Sequence, residues 1–349
     1  MIEILFIVLA AGWILQPALT RSSFRGLSAV DAKTVWVSGS RARFLRTTDG
    51  GATWKLDSIA GDSTSDLRDI HAFDARTAVA ISAGPAEQGH AKIFRTTDGG
   101  ATWTTVFTTD QAGVFFDALS FWDRQHGIVM SDPVDGKLFL LVTDDGGTTW
   151  TRVAPDGLPP MLPKEAAFAA SGTCLTVRGS SDAWIGTGGS DTARVFHSTD
   201  RGRTWTVAST PIHSGDGGSA GIFSVAFSDG RNGVAVGGNY SQPRTPYVNV
   251  ALTTDGGASW QAAKGPMPPG YLSAVTYVPG TRAKTLVAAG LVGTAISTDG
   301  GQGWTLVDTL GYNAIAFTGP EDAGWAAGDR GRVAKWGGRL DRTLPVRKP

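Results

Sequence analysis

The chain is predicted to be all-β and to close as a seven-bladed β-propeller. Three observations predict this: a motif that recurs six times, a fixed order of short apolar runs around each copy, and a truncated seventh unit whose missing strand stands at the amino terminus. The motif, Ser/Thr-x-Asp-x-Gly-x-x-Trp, first occupies residues 47–54 and returns at 96–103, 143–150, 198–205, 253–260 and 297–304. Its aspartates, Asp49, Asp98, Asp145, Asp200, Asp255 and Asp299, lie 49, 47, 55, 55 and 44 residues apart. Four short strands per unit at such a period is the sequence form of a propeller blade.

Each unit keeps one internal order. An alternating segment comes first, as at 27–30, 69–73 and 223–227. A turn follows, then an apolar run ending in small residues (35–39, 234–238, 286–290). A third run, such as 43–46 or 92–95, leads into the motif, and a fourth begins at its tryptophan. Within the motif the Ser/Thr and Asp side chains suit hydrogen bonds from turn amides, and the glycine supplies a positive φ. Trp54, Trp103, Trp150, Trp205, Trp260 and Trp304 then anchor the last strand between blades. The aspartates are read as turn locks.

After the sixth motif, residues 313–317, 324–328 and 332–336 supply three strands with no motif and no fourth strand. Trp13-Ile14-Leu15-Gln16 is comparable with Trp54-Lys55-Leu56-Asp57. The amino-terminal strand is therefore expected to complete the last blade and remove the open sheet edges. One propeller is expected over residues 13–338, with a tail at 339–349. Residues 1–10 read as the hydrophobic region of a signal peptide with a cleavage signature at Val8-Leu9-Ala10. That signal is atypical, because Glu3 is acidic and no Lys or Arg precedes Arg21. A periplasmic or secreted monomer, with no membrane span once processed, is the expectation.

Composition narrows the function. The 31 basic and 31 acidic residues of the 349-residue chain cancel, which argues against nucleic-acid binding and against a polybasic membrane surface. The four glutamates, 27 aspartates and 47 glycines favour turns over helices. Cys174 stands alone, so there is no intrachain disulfide framework and no cysteine-based zinc site. The histidines (71, 90, 126, 197, 213) show no metal spacing, and residues 131–136 lack the later acidic ligand of a calcium loop and read as a tight turn. Glycine-rich stretches such as 186–189 are not phosphate loops, since no helix follows. No metal and no cofactor is expected. Gly217-Gly218-Ser219-Ala220-Gly221 matches a nucleophile elbow, with His213 and Asp216 just upstream, but a loop precedes it and a strand follows. The match is read as incidental, with Ser219 kept as a candidate lining residue.

Aligning the units places Arg25, Arg68, Asp69, Asp117, Lys164, Glu165, Tyr271 and Tyr312 at the entrance to the innermost strands, and Asp132 just past a second strand. A ring of charged and aromatic groups converging on the axis suits a polar ligand or a protein loop. The equal alternative is a set of solvated strand ends.

The repeated motif resembles the Asp-box of the sialidase-like propellers over nearly the whole chain. In that group the box lies on the outer rim, away from the central pocket. Sialidases of this architecture carry an Arg-Ile-Pro sequence and a Tyr paired with Glu. Neither is present, since the only glutamates are Glu3, Glu87, Glu165 and Glu321. The blade pattern with its amino-terminal closing strand also resembles the photosystem II stability/assembly factor family. That resemblance implies an exported seven-bladed propeller that acts by binding and presents an arginine-rich patch. Arg25 and Arg68 match such a patch, whereas Asp69, Asp117 and Glu165 interrupt it, which argues against a photosystem client. Residues 165–172 and 220–224 are similar to a bacterial branch described as oxidoreductases or glycosyl hydrolases, although no nucleotide fingerprint accompanies them. Two functions follow. The first is a non-catalytic binding or assembly propeller that engages a protein or polar ligand, including a glycan, at its axial face. The second is a glycoside hydrolase using Asp69, Asp117, Asp132 or Glu165.

Overall fold

The second strand of each unit is apolar on both faces. Val35–Gly39, Ala78–Ala83 and Leu286–Gly290 are buried along their whole length. Burial on two faces requires a sheet on either side, which a ring of radially packed blades supplies. Fourth strands such as Thr104–Thr108 and Thr206–Ser209 are polar and largely exposed, as the outermost strands must be.

The computed structural model describes residues 12–319 and 323–340. The signal-peptide expectation at 1–10, and residues 341–349 of the tail, lie outside the described residues. The described residues form seven four-stranded antiparallel sheets. Blades 1 to 6 span residues 24–58, 66–108, 116–152, 175–209, 220–262 and 274–308, innermost strand first. Blade 7 is built from Ala314–Phe317, Gly324–Ala327, Val333–Gly337 and, outermost, Gly12–Leu15. The ring is thus closed by the amino-terminal strand.

The closing register is that of the other blades. Trp13 pairs with Trp336 and Ile14 with Lys335, as Lys55 pairs with Arg46 in blade 1. Lys335 lies over the Trp325 ring as Arg46 lies over Trp36, so Trp13 takes the place of Trp54. The core is divided into layers between neighbouring blades. Trp54 packs with Trp325 of blade 7, Trp103 with Trp36 of blade 1, and Trp205 with Ile128 of blade 3. Edge-on ring contacts, 5.5 Å for Trp54 and Trp325, join the layers.

The motif turns share one hydrogen-bond pattern. In the first, the Thr47 hydroxyl donates to Asp49 Oδ1 at 2.8 Å and accepts the Gly51 amide at 2.9 Å. Asp49 also accepts the Thr53 amide at 2.9 Å. The last repeats the pattern through Ser297, Asp299, Gly301 and Gly303. Gly51 has φ +88°, and a Cβ there would stand 2.7 Å from the Trp325 ring, so the turn's tight seat against the neighbouring blade needs glycine. Residues 131–136 end in a two-residue hairpin, Asp135 and Gly136 both at positive φ between paired Val134 and Lys137, as a type I′ turn requires.

One placement is corrected. Residues 164–165 do not begin the innermost strand of blade 4; that strand is Leu175–Arg178. The 55-residue spacing between Asp145 and Asp200 reflects a long connection ahead of it. Among the described residues no helix is long and apolar enough to cross a membrane.

Candidate axial binding site

The connection before blade 4 leaves the blade plan and runs across the ring. The Ala167 amide donates to Asp132 Oδ1 at 3.2 Å, Arg68 Nη1 to the Ala169 carbonyl at 2.8 Å, and Arg25 Nη1 to the Ala170 carbonyl at 3.5 Å. The Ser171 hydroxyl donates to the Ser273 carbonyl at 2.7 Å, and Phe168 stacks on Phe223 with centroids 3.9 Å apart. These partners belong to blades 1, 2, 3 and 5 and to Ser273, which directly precedes blade 6, so residues 167–171 lie across the axis. Gly172 follows at φ +75°, where a Cβ would stand 2.3 Å from the Asp69 carboxyl. Only glycine lets the segment settle on that side chain.

At the mouth beside this segment lies a cavity of about 300 Å³. One wall, from blades 1 to 3, presents Arg25, Arg68, Asp117 and Asp132. The other presents Phe168, Phe223, Tyr240, Tyr271 and Leu291. Tyr240 and Leu291 form its outer lip, at 48% and 41% exposure.

The charged wall is electrostatically tense. Asp117 is buried at 1% exposure, and its Oδ2 has no hydrogen-bond partner among the described residues. Burial, then the neighbouring Asp132, pushes its carboxyl well above the usual range against the pull of Arg68. Burial also raises Asp132, to about 6, despite the Ala167 amide. The two sit on adjacent strands of one blade, where Phe116 pairs with Ser131, and repulsion between neighbouring carboxylates favours retention of a proton. Burial and the nearby Arg68 lower the proton affinity of Arg25. Arg68 is itself paired with Asp66 at 2.7 Å.

Of the ten residues expected at or near the site, the structure brings five to the cavity, namely Arg25, Arg68, Asp117, Asp132 and Tyr271, whereas Lys164 and Tyr312 do not border it. Asp69 lies beneath it, accepting the Ile70 and Leu119 amides at 2.8 Å each, and burial raises its carboxyl to about 7. Glu165 is elsewhere. Its carboxylate takes Arg194 Nε at 2.9 Å, a second contact from Arg194 Nη2, the Thr187 hydroxyl at 2.6 Å and the Leu162 amide at 2.7 Å. With these acceptors occupied inside the protein, Glu165 ties down the start of the crossing segment and does not border the cavity. Ser219 donates its hydroxyl to the Asp216 carbonyl at 2.9 Å and does not border the cavity. His213 pairs with Asp216 at 2.6 Å and stacks on Tyr247, while the Ser219 hydroxyl turns to the Asp216 carbonyl. Apart from Tyr271, the apolar wall was not expected as part of the site. The extra length between the third and fourth motifs is a signal only in part, because the fourth-to-fifth interval is equally long at 55 residues.

Fold and mouth together define a single-ring propeller with a mixed-charge, aromatic-walled axial cavity. No protein-family model and no curated protein matches the sequence, whereas solved structures share the architecture. "YCF48 bound to D1 peptide" superposes with a TM-score of 0.66 at 16% identity, covering 95% of this chain and 98% of that one. YCF48 from Cyanidioschyzon merolae gives 0.65 at 16% identity, covering 93% and 98%. A GH74 xyloglucanase from Xanthomonas campestris gives 0.60 at 16% identity over 96% of this chain but only 55% of that one. At such identities the likeness is one of fold.

Proposed function

We propose that this chain is a non-catalytic binding or assembly propeller, working outside the cytoplasm as a monomer, that docks a protein segment or a polar ligand at its axial face. The observation that carries this reading is the bipartite cavity, with charged groups from blades 1 to 3 facing an aromatic wall that opens to solvent. Pockets that combine convergent polar groups with apolar walls are the usual form of binding sites. A relative in fold is described as bound to a peptide, which makes peptide docking on this architecture a reasonable model.

The second reading, a glycoside hydrolase, is favoured by one observation: Asp117 and Asp132 border a cavity with raised proton affinity. Geometry weighs against it. Hydrolysis needs two carboxyl groups on either side of the scissile bond, about 5–9 Å apart, whereas these two share one wall. The test is a pull-down with the protein as bait beside a glycan-hydrolysis panel. The proposal expects a directly contacting partner and no turnover. Turnover abolished by Asp117→Asn would overturn it.

A further inference from the structure

Asp117 presents a need that the ring does not meet. Its Oδ2 is buried, lacks a hydrogen-bond partner among the described residues and belongs to a side chain that borders the axial cavity. A buried polar atom left in this state is rare and costly in a native fold. Asp132 stands beside it on the same blade, its Oδ1 engaged by the Ala167 amide. Arg68 exerts a charge pull on Asp117, but its hydrogen bonds go to Asp66 and the Ala169 carbonyl, and that of Arg25 to the Ala170 carbonyl. What the pair lacks is a compact cation with several hydrogen-bond donors.

The facing wall says what such a cation is attached to. Phe168, Phe223 and Tyr271 form one aromatic group, with Phe223 centroids 3.9 Å from Phe168 and 4.7 Å from Tyr271. Aromatic faces attract cations and cover aliphatic stems. An ammonium offers three donors on a flexible stem, whereas a guanidinium is a broad planar fork that suits bidentate pairing. A metal ion fits poorly, because among the described residues no three acidic, histidine or cysteine side chains converge.

We propose that the axial cavity recognises a primary ammonium on an aliphatic stem, namely a lysine side chain of the docked protein segment. Its head sits against Asp117 and Asp132 and its stem along Phe168, Phe223 and Tyr271. This inference rests on the reading of the axial face as a protein-docking surface.

The experiment is calorimetric titration of the whole protein with Nα-acetyl-lysine-N-methylamide and with the uncharged norleucine analogue. The lysine probe is expected to bind at least about tenfold more tightly, the worth of one good charged hydrogen bond. Asp117→Asn and Asp132→Asn are each expected to erase that difference. Asp132 is less deeply buried than Asp117, so its variant serves should Asp117→Asn fail to fold. Equal affinity for the two probes, or a lysine preference retained in Asp132→Asn, overturns the inference. Lysine-selective binding by a protein with no macromolecular partner supports the ammonium site and removes the docking reading. A direct partner bound equally by both variants removes the ammonium site and leaves docking intact.

Discussion

The aspartates of the rim and those of the axis are one residue type in opposite conditions. At the rim, Asp49 is exposed, and the Thr53 hydroxyl and amide, followed by the Thr47 hydroxyl, hold its carboxyl down at about 2. Asp255 is held at about 2 in the same way by Ser259 and Thr253. At the axis, burial raises Asp69 to about 7 and Asp132 to about 6, and with help from Asp132 it lifts Asp117 well above the usual carboxylate range. A rim carboxylate meets its donors within its own turn, so its position is self-sufficient and repeats with the blade. An axial carboxyl meets neighbours from other blades and a crossing segment that occurs once. The difference teaches that repetition marks the fold, and departure from repetition marks the candidate site.

Several substitutions test that division. The largest effect is expected for Arg194→Leu, which leaves the Glu165 carboxylate buried without its cation. Removing one partner of a buried pair costs about 3–5 kcal/mol, and chemical denaturation should show a loss of that size. Gly172→Val should cost about 3 kcal/mol, from a β-branched residue at positive φ and its clash with Asp69. It should also disturb probe binding at the mouth, because the crossing segment forms part of the cavity. Asp98→Ala should lower the melting temperature by a few degrees and leave probe affinity unchanged. Lost affinity at an unchanged melting temperature would refute the turn-lock reading.

The smallest effect lies in the pH profile of stability. Rim carboxyls bind protons less tightly when folded, so their contribution is present above about pH 4 and is lost as pH falls through about 2. His71, which burial depresses to about 4, adds to that acid loss below its ordinary value. Asp69 and Asp132 bind protons more tightly when folded. Their contribution is full below about pH 4 and is lost as pH rises through about 6 to 7. Asp98→Ala should therefore flatten the acid limb and Asp132→Asn the limb from weakly acidic to neutral, both read from melting curves across pH.

The sequence carried the ring almost completely, since motif spacing, strand order and the position of Trp13 are each local in the chain. It carried the site only in part. Arg25, Arg68, Asp117 and Tyr271 were found because they recur at one place in their units. Glu165 was misplaced because an insertion breaks the alignment, and its partner Arg194 lies across the blade, where no local pattern marks it. Phe168 and Phe223 form a wall only through a stack between a connection and a strand more than 50 residues apart. Such a contact is set by three-dimensional packing, which the period of the repeat does not encode.

Rim aspartates serve the fold, whereas at the axis Asp117 and Asp132 border the cavity and Asp69 is buried beneath it. A carbon-13 NMR titration of the aspartate carboxyl groups tests that division most directly. The account predicts Asp49 and Asp255 near 2, Asp132 near 6 and Asp69 near 7. Rim and axial groups titrating together at ordinary carboxylate values would contradict it.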